Sequence, residues 1–125
     1  MDYLFHIVPA VAVGLQITLK IFIITIILSL PLGILMAIGR ISKIAILRKA
    51  MYAYIYVMRG TPLMLQILFI YYGLPFIIDG LKLPAFPAAI IAFVLNYAAY
   101  FAEIFRGGIQ SIDRGQTEAA RSLGL

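Results

Sequence analysis

Side chains able to do chemistry are few in this chain, and each is set into apolar sequence. Arg59, Thr61 and Gln66 lie in RGTPLMLQ. Asn96, Tyr97, Tyr100, Glu103 and Arg106 lie in NYAAYFAEIFR, and Glu118 lies in TEAARSLG. Covalent catalysis needs a nucleophile with a base beside it, and metal chemistry needs a cluster of ligands. Neither pattern is available: there is no cysteine, His6 is the only histidine, and acidic residues number five. Disulfides, iron–sulfur clusters and thiolate or His-rich metal sites are excluded, and a hydrolytic centre has little to work with. An intramembrane enzyme is discounted on the same ground. The amides, guanidinium groups and phenols that remain bind and orient rather than cleave.

The elements that must position these groups are almost wholly apolar. Hydrophobic residues make up 64% of the 125, charged residues only 12%, and the mean hydropathy is +1.06. That is too little charge to cover a water-soluble domain, so the bilayer is the first partner. Three uncharged runs, Ile21–Gly39, Gly60–Ile78 and Leu83–Ala102, each approach the ~20 residues that cross a hydrocarbon core of ~30 Å. The expected fold is all-α and transmembrane, with spans at about 14–38, 60–78 and 84–105. The net charge of +5 does not indicate nucleic acid, because the basic residues sit at the ends of the apolar runs.

Arg40, Lys43, Arg48 and Lys49 follow the first span with no acidic residue among them, and Arg106, Arg114 and Arg121 follow the third. Placing both segments in the cytoplasm, with Arg59, puts eight of the ten Lys and Arg residues inside and the N-terminus outside. Met1–Ala10 carries Asp2 and no basic residue, and the apolar run behind it is too long for a secretory signal. Residues 3–13, interrupted by Pro9, read as an interfacial lead-in on the outer face, with His6 at headgroup level. Lys20 snorkels outward. Pro31 is expected to kink the first span near Ile27. Ser29 and Gly33, four apart, offer a small-residue face that lets another helix of this chain approach closely.

Arg59-Gly60-Thr61-Pro62 is the anomaly, because it puts a charge and a helix breaker in apolar sequence. In one reading Thr61 caps a new helix and Pro62 takes its first position, where a missing N–H is harmless. In the other, one helix runs through residues 51–73 with a proline kink. Both readings place Arg59 at the cytoplasmic boundary. Upstream, Ile46, Leu47, Ala50, Met51, Tyr54, Ile55 and Met58 share a helical face, and Tyr52, Tyr54 and Tyr56 read as interface anchors. Gly73, Pro75, Gly80 and Pro84 break up the outer connection, and Pro87 suits the first turn of span three. Asn96, near mid-depth, must find partners, in packing or in function. Glu103 and Arg106, one turn apart, read as a structural pair.

After the third span the character changes to a short polar helix, SIDRGQTEAARSLGL. Asp113 is placed to cap it, with Gln116 completing a capping box. Glu118 is within reach of Arg121, and Gly124 suits the C-terminal cap. Ala120 and Gly124, four apart, leave one face low. Such a helix is either a docking knob for a soluble partner or an ordinary surface loop.

EAARSLG (118–124) resembles the Glu-Ala-Ala-x-x-x-Gly loop of membrane subunits of bacterial ABC importers. RGTPLMLQ, NYAAYFAEIFRGGIQSID and GQTEAARSLG, with GLQITLKI near the start, are together similar to the polar amino acid permeases of that group. That resemblance implies a bacterial inner-membrane permease subunit with a cytoplasmic loop at residues 107–125. Glu118, Ala119, Ala120 and Gly124 would form a coupling helix seated in a cytoplasmic ATPase. It also implies a second permease subunit, identical or related, and an extracytoplasmic binding protein that delivers a polar amino acid. ATP would be bound by the partner, so no cofactor is expected on this chain. Gln66 and Asn96, with Tyr97 and Tyr100 beside them, would line the substrate path, since amides offer donors to a carboxylate and acceptors to an ammonium.

In the family this loop continues beyond the glycine into an Ile-x-Leu-Pro segment and two further spans, whereas this sequence stops at Leu125. The expectation is an incomplete permease that does not transport by itself. The alternative is a small three-span membrane protein, structural or regulatory, that docks no ATPase.

Overall fold

The computed structural model describes residues 2–125, and its described residues are helical without strands. The helices are α1 (Asp2–Arg40), α2 (Ala45–Gly60), α3 (Leu63–Leu68), α4 (Leu74–Ile77), α5 (Ala85–Gln110) and α6 (Arg114–Ser122). α1 and α5 are each long and apolar enough to cross a membrane, and α2 with α3–α4 makes a third, bent candidate. The all-α membrane architecture read from the apolar runs is therefore the one formed.

α5 is the spine. Its buried residues are mostly alanine: Ala88, Ala92, Ala98, Ala99 and Ala102 have no exposed surface, and Asn96 is buried among them. α1 meets this spine with Thr25, Ser29, Gly33 and Ala37, one small residue per turn. The crossing is closest at Gly33, where a Cβ would stand 2.8 Å from the Phe101 Cβ and 3.2 Å from the Ala98 carbonyl. Ser29 and Gly33 thus serve packing within the chain.

Two clusters lie along α5. Met36, Ala37, Ile55, Ala98, Ala99 and Ala102 join α1, α2 and α5, with Met51, Tyr54 and Met58 against them. Ile70, Ala88 and Ala92 form the other, with α3 residues Leu63 and Ile67 packed on it. Asn96 sits on the stretch of α5 between the two clusters, and the Gly60–Pro62 break lies between the helices that feed them.

Pro9 does not set off a separate segment, whereas Pro87 falls where expected. α1 is continuous through Pro9 and Pro31 over 39 residues, about 58 Å at ~1.5 Å per residue, so residues 3–13 are its first turns rather than a separate lead-in. A proline deletes one rung of the hydrogen-bond ladder, and the neighbouring rungs keep the helix together. Pro87 falls in the first turn of α5, where N–H groups lack helical partners anyway. Gly73 and Pro75 lie within helical chain: a π-helical turn, Phe69–Gly73, leads into α4, and Leu74 N–H reaches back five residues to the Phe69 carbonyl. The break in the outer connection comes later, with Gly80 at φ +83°.

Gly33→Leu tests the alanine spine. Its side chain meets backbone of α5, which cannot rotate away, so a loss of about 1–3 kcal/mol is expected. The measurement is the thermal midpoint in detergent, where the neighbouring exposed Ile34→Leu should be neutral; equal midpoints for the two variants would refute close packing at Gly33.

Candidate functional site

α2 ends at Gly60 and the chain turns through 107° before α3. Thr61 is extended (φ −113°, ψ 145°), as a residue before proline must be to clear the ring. Pro62 is the N-cap of α3, not its first residue, and its carbonyl accepts from Gln66 N–H at 3.2 Å. The separate-helix reading holds, with one correction. Thr61 does not cap α3: its hydroxyl turns back and donates to the Val57 carbonyl at 2.9 Å.

The last carbonyls of any α-helix lack partners within it. Here side chains from elsewhere supply them. Gln66 Nε2 donates to Met58 O at 3.0 Å and to Thr61 Oγ1 at 2.7 Å, with Thr61 O also near at 3.3 Å. Asn96 Nδ2 donates to the same Met58 O at 3.2 Å and to Gln66 Oε1 at 3.0 Å. An amide nitrogen carries two protons, so both amides have committed their donors. Asn96 Oδ1 receives no donor among the described residues. The two amides that the sequence singled out are therefore adjacent, and they clamp the broken end of α2 to α5.

Beside the clamp lies a recess of about 450 Å³ lined by Arg59, Thr61, Pro62, Asn96, Tyr97 and Tyr100. Gly60 borders it too, so the break and the aromatic face of α5 share one wall. Tyr97 and Tyr100 are both partly exposed, their ring centroids 6.2 Å apart. The Arg59 guanidinium lies over the Tyr100 ring, 5.6 Å from its centroid. Arg59 stands exposed in the last turn of α2 and reaches across to α5 at Tyr100. The bend sets the following helices at 107° to α2, and local sequence does not report a bend. A smaller apolar hollow between α1 and α5, about 350 Å³ and bordered by Phe22, Phe93 and Phe101, contains none of the amides.

Glu103 and Arg106 form an ion pair, and Arg106 also donates to Gln110 Oε1 at 2.7 Å. Tyr54 is missed by the sequence as a brace: its hydroxyl donates to the Leu95 carbonyl at 2.8 Å, tying α2 to α5, while Tyr52 and Tyr56 stay exposed. The signal was its shared face with Ile55 and Met58.

Glu118, Ala119, Ala120 and Gly124 are set apart from this site, on α6 and its cap. Asp113 Oδ1 accepts from Gly115 N–H at 3.1 Å, and no reciprocal bond from Gln116 forms among the described residues. At the other end Leu125 N–H bonds Ala120 O at 2.9 Å and Gly124 N–H bonds Arg121 O at 3.0 Å, a Schellman closure with Gly124 at φ +81°. Glu118 forms no ion pair with Arg121; among the described residues Glu103–Arg106 is the one pair. α6 packs on none of the other helices, and Glu118, Ala119 and Gly124 are exposed.

Residues 29–125 match the family described as binding-protein-dependent transport system inner membrane component. The arginine transport system permease protein ArtQ of Bacillus subtilis is 44% identical over 118 residues, covering 94% of this chain and 53% of that protein. The putative glutamine transport system permease protein GlnP of Rickettsia typhi is 44% identical over 90% of this chain and 51% of its own length. The L-cystine transport system permease protein TcyL of B. subtilis is 38% identical and matches along 100% of this chain and 54% of its own. The chain thus spans about half the length of the curated relatives it matches. A crystal structure of an amino acid ABC transporter with histidines superposes with a TM-score of 0.89 at 41% identity, covering 98% of this chain and 56% of that one.

Replacing Asn96 by Leu removes two donors and leaves the half-buried Gln66 Oε1 without its partner. A loss of about 1–3 kcal/mol is expected, as for an unmade buried hydrogen bond. Hydrogen exchange of α2 and α3 amides should rise around residues 57–63; an exchange pattern like the parent's would show that the clamp does not hold the break.

Proposed function

The chain belongs to the family of binding-protein-dependent transport system inner membrane components, and from that premise we propose that it is permease machinery of an ATP-driven amino acid importer. In this reading it moves a polar amino acid across the bacterial cytoplasmic membrane and hydrolyses nothing itself. A separate cytoplasmic ATPase supplies the energy, a second permease subunit completes the pathway, and an extracytoplasmic binding protein delivers the substrate. The N-terminus lies outside and the segments bearing Arg40–Lys49 and α6 lie inside, in keeping with the distribution of Lys and Arg.

The observation that carries the reading is α6. A nine-residue helix that packs on nothing of its own chain would be marginal by itself, yet both of its ends are closed by specific hydrogen bonds. Its low face at Ala120 and Gly124 admits close approach, and Glu118 offers a charge beside it. A capped, freestanding helix transmits a push as one body, which is what coupling to a closing ATPase pair requires. Arg106, Glu103 and Gln110 tie the polar end of α5, from which α6 hangs, into one bonded group.

Substrate would pass the recess beside the break, touching Asn96, Tyr97 and Tyr100, with Gln66 behind Asn96. Polar groups are scarce along the whole apolar interior, and they converge there.

Glu118→Lys and Gly124→Leu test the coupling helix. Gly124 sits where a Cβ is strained by about 1–2 kcal/mol, so the leucine opens the cap as well as blocking the face. Each variant is expected to insert normally and to lose at least tenfold in co-purification of an ATPase from the native membrane. Undiminished co-purification would reject the coupling role. If the parent chain itself captures no ATPase, a three-span protein without transport becomes the better reading.

A further inference from the structure

The corner between α1 and α2 carries charge that the chain does not balance. Arg40 ends α1 directly after the uncharged run Ile21–Gly39, so the corner is where the chain leaves the apolar layer. Arg40, Lys43, Arg48 and Lys49 gather there with no carboxylate among them. Glu103 is held by Arg106, and its field reaches Arg40 and Arg59. Lys43, Arg48 and Lys49 make no ion pair among the described residues.

Side chains hold this corner in shape. Ser42 Oγ accepts from Ile44 N–H at 3.1 Å, and Arg48 Nη1 donates to the Ser42 carbonyl at 3.1 Å. The Arg40 guanidinium lies over the Tyr52 ring, 4.8 Å from its centroid, so the last side chain of α1 rests on α2. Two of the four cations are thus fixed by the fold, while Lys43 and Lys49 stand exposed.

The surroundings select the partner. α2 packs through Met51, Tyr54, Ile55 and Met58, and helical spacing sets Lys49, Tyr52 and Tyr56 on the opposite side. The two rings stack with centroids 6.2 Å apart, and both are exposed. Ile44 and Ile46, just after Lys43 in the chain, are 63% and 83% exposed. An acidic soluble surface would match the cations but leave the isoleucines and rings in water. A lipid matches all of them, because phenols and long cationic stems settle where headgroups meet hydrocarbon. Basic clusters at the end of a membrane helix attract anionic headgroups in particular.

We infer that the α1–α2 corner is a headgroup site for an anionic phospholipid. Lys43 and Lys49 receive its phosphate beside Arg40, and Tyr52 and Tyr56 lie along the lipid below. Arg48 is a positioning residue, because its bond to Ser42 O shapes the turn that presents Lys43. Such a site needs a bilayer and no ATPase, so it is separate from the transport reading.

The chain in detergent micelles is titrated with phosphatidylglycerol and with phosphatidylcholine of identical acyl chains, and native mass spectrometry counts bound lipid. Each basic group near an anionic headgroup strengthens attachment roughly fivefold, so phosphatidylglycerol should half-saturate roughly tenfold or more below phosphatidylcholine. Lys43→Gln with Lys49→Gln should erase most of that preference, and Lys43→Arg with Lys49→Arg should keep it. Lys20→Gln with Lys82→Gln removes the same charge from two other exposed positions and should leave the preference intact. Equal uptake of both lipids by the parent chain would overturn the site and leave the corner to an acidic protein surface. A preference that survives Lys43→Gln with Lys49→Gln, or falls equally in both glutamine pairs, would overturn it as well. The transport reading stands in every case, since it rests on α6.

Discussion

A helix that ends within membrane-spanning chain leaves carbonyls that need partners from outside the helix, and the arrangement of the site follows from that constraint. α2 ends this way because Pro62 forces Thr61 into extended backbone. Thr61 satisfies the Val57 carbonyl, and Gln66 and Asn96 share the Met58 carbonyl between them. Three polar side chains in an otherwise greasy interior are thus explained by one break. Because the break exists, the chain also acquires a recess, and because the amides close the break, they border it.

The second requirement is that the three helices come close enough for these bonds to form. Asn96 reaches Gln66 across 30 residues of sequence, and Tyr54 reaches Leu95 across 41. Neither contact survives a wide helix separation. Alanine along α5 and the Thr25–Ser29–Gly33–Ala37 stripe of α1 bring the backbones together where a bilayer gives little hydrophobic drive. Small residues and the amide clamp are therefore two halves of one solution, since packing brings the polar groups within range and the clamp then fixes the angle.

α6 obeys different physics. Its bonds are local, a side-chain cap at Asp113 and a Schellman closure at Gly124, and none of them reaches another helix. The membrane helices, by contrast, owe their arrangement to each other.

By itself the sequence determined whatever depends on residues a few positions apart. Apolar run length set the all-α membrane class, Asp113 and Gly124 closed α6, and the four-residue spacing of Ser29 and Gly33 announced a close helix crossing. Asn96 and Gln66 were legible as polar groups in need of partners, but not as partners of each other. Tertiary structure alone decided that pairing, together with the backward turn of the Thr61 hydroxyl, the bracing role of Tyr54 and the stacking of Arg59 on Tyr100. The physical reason is the 107° bend. Periodicity and capping rules describe a helix about its own axis and carry no information on how two axes meet. That angle is set by which distant backbone and side chains can satisfy the broken end.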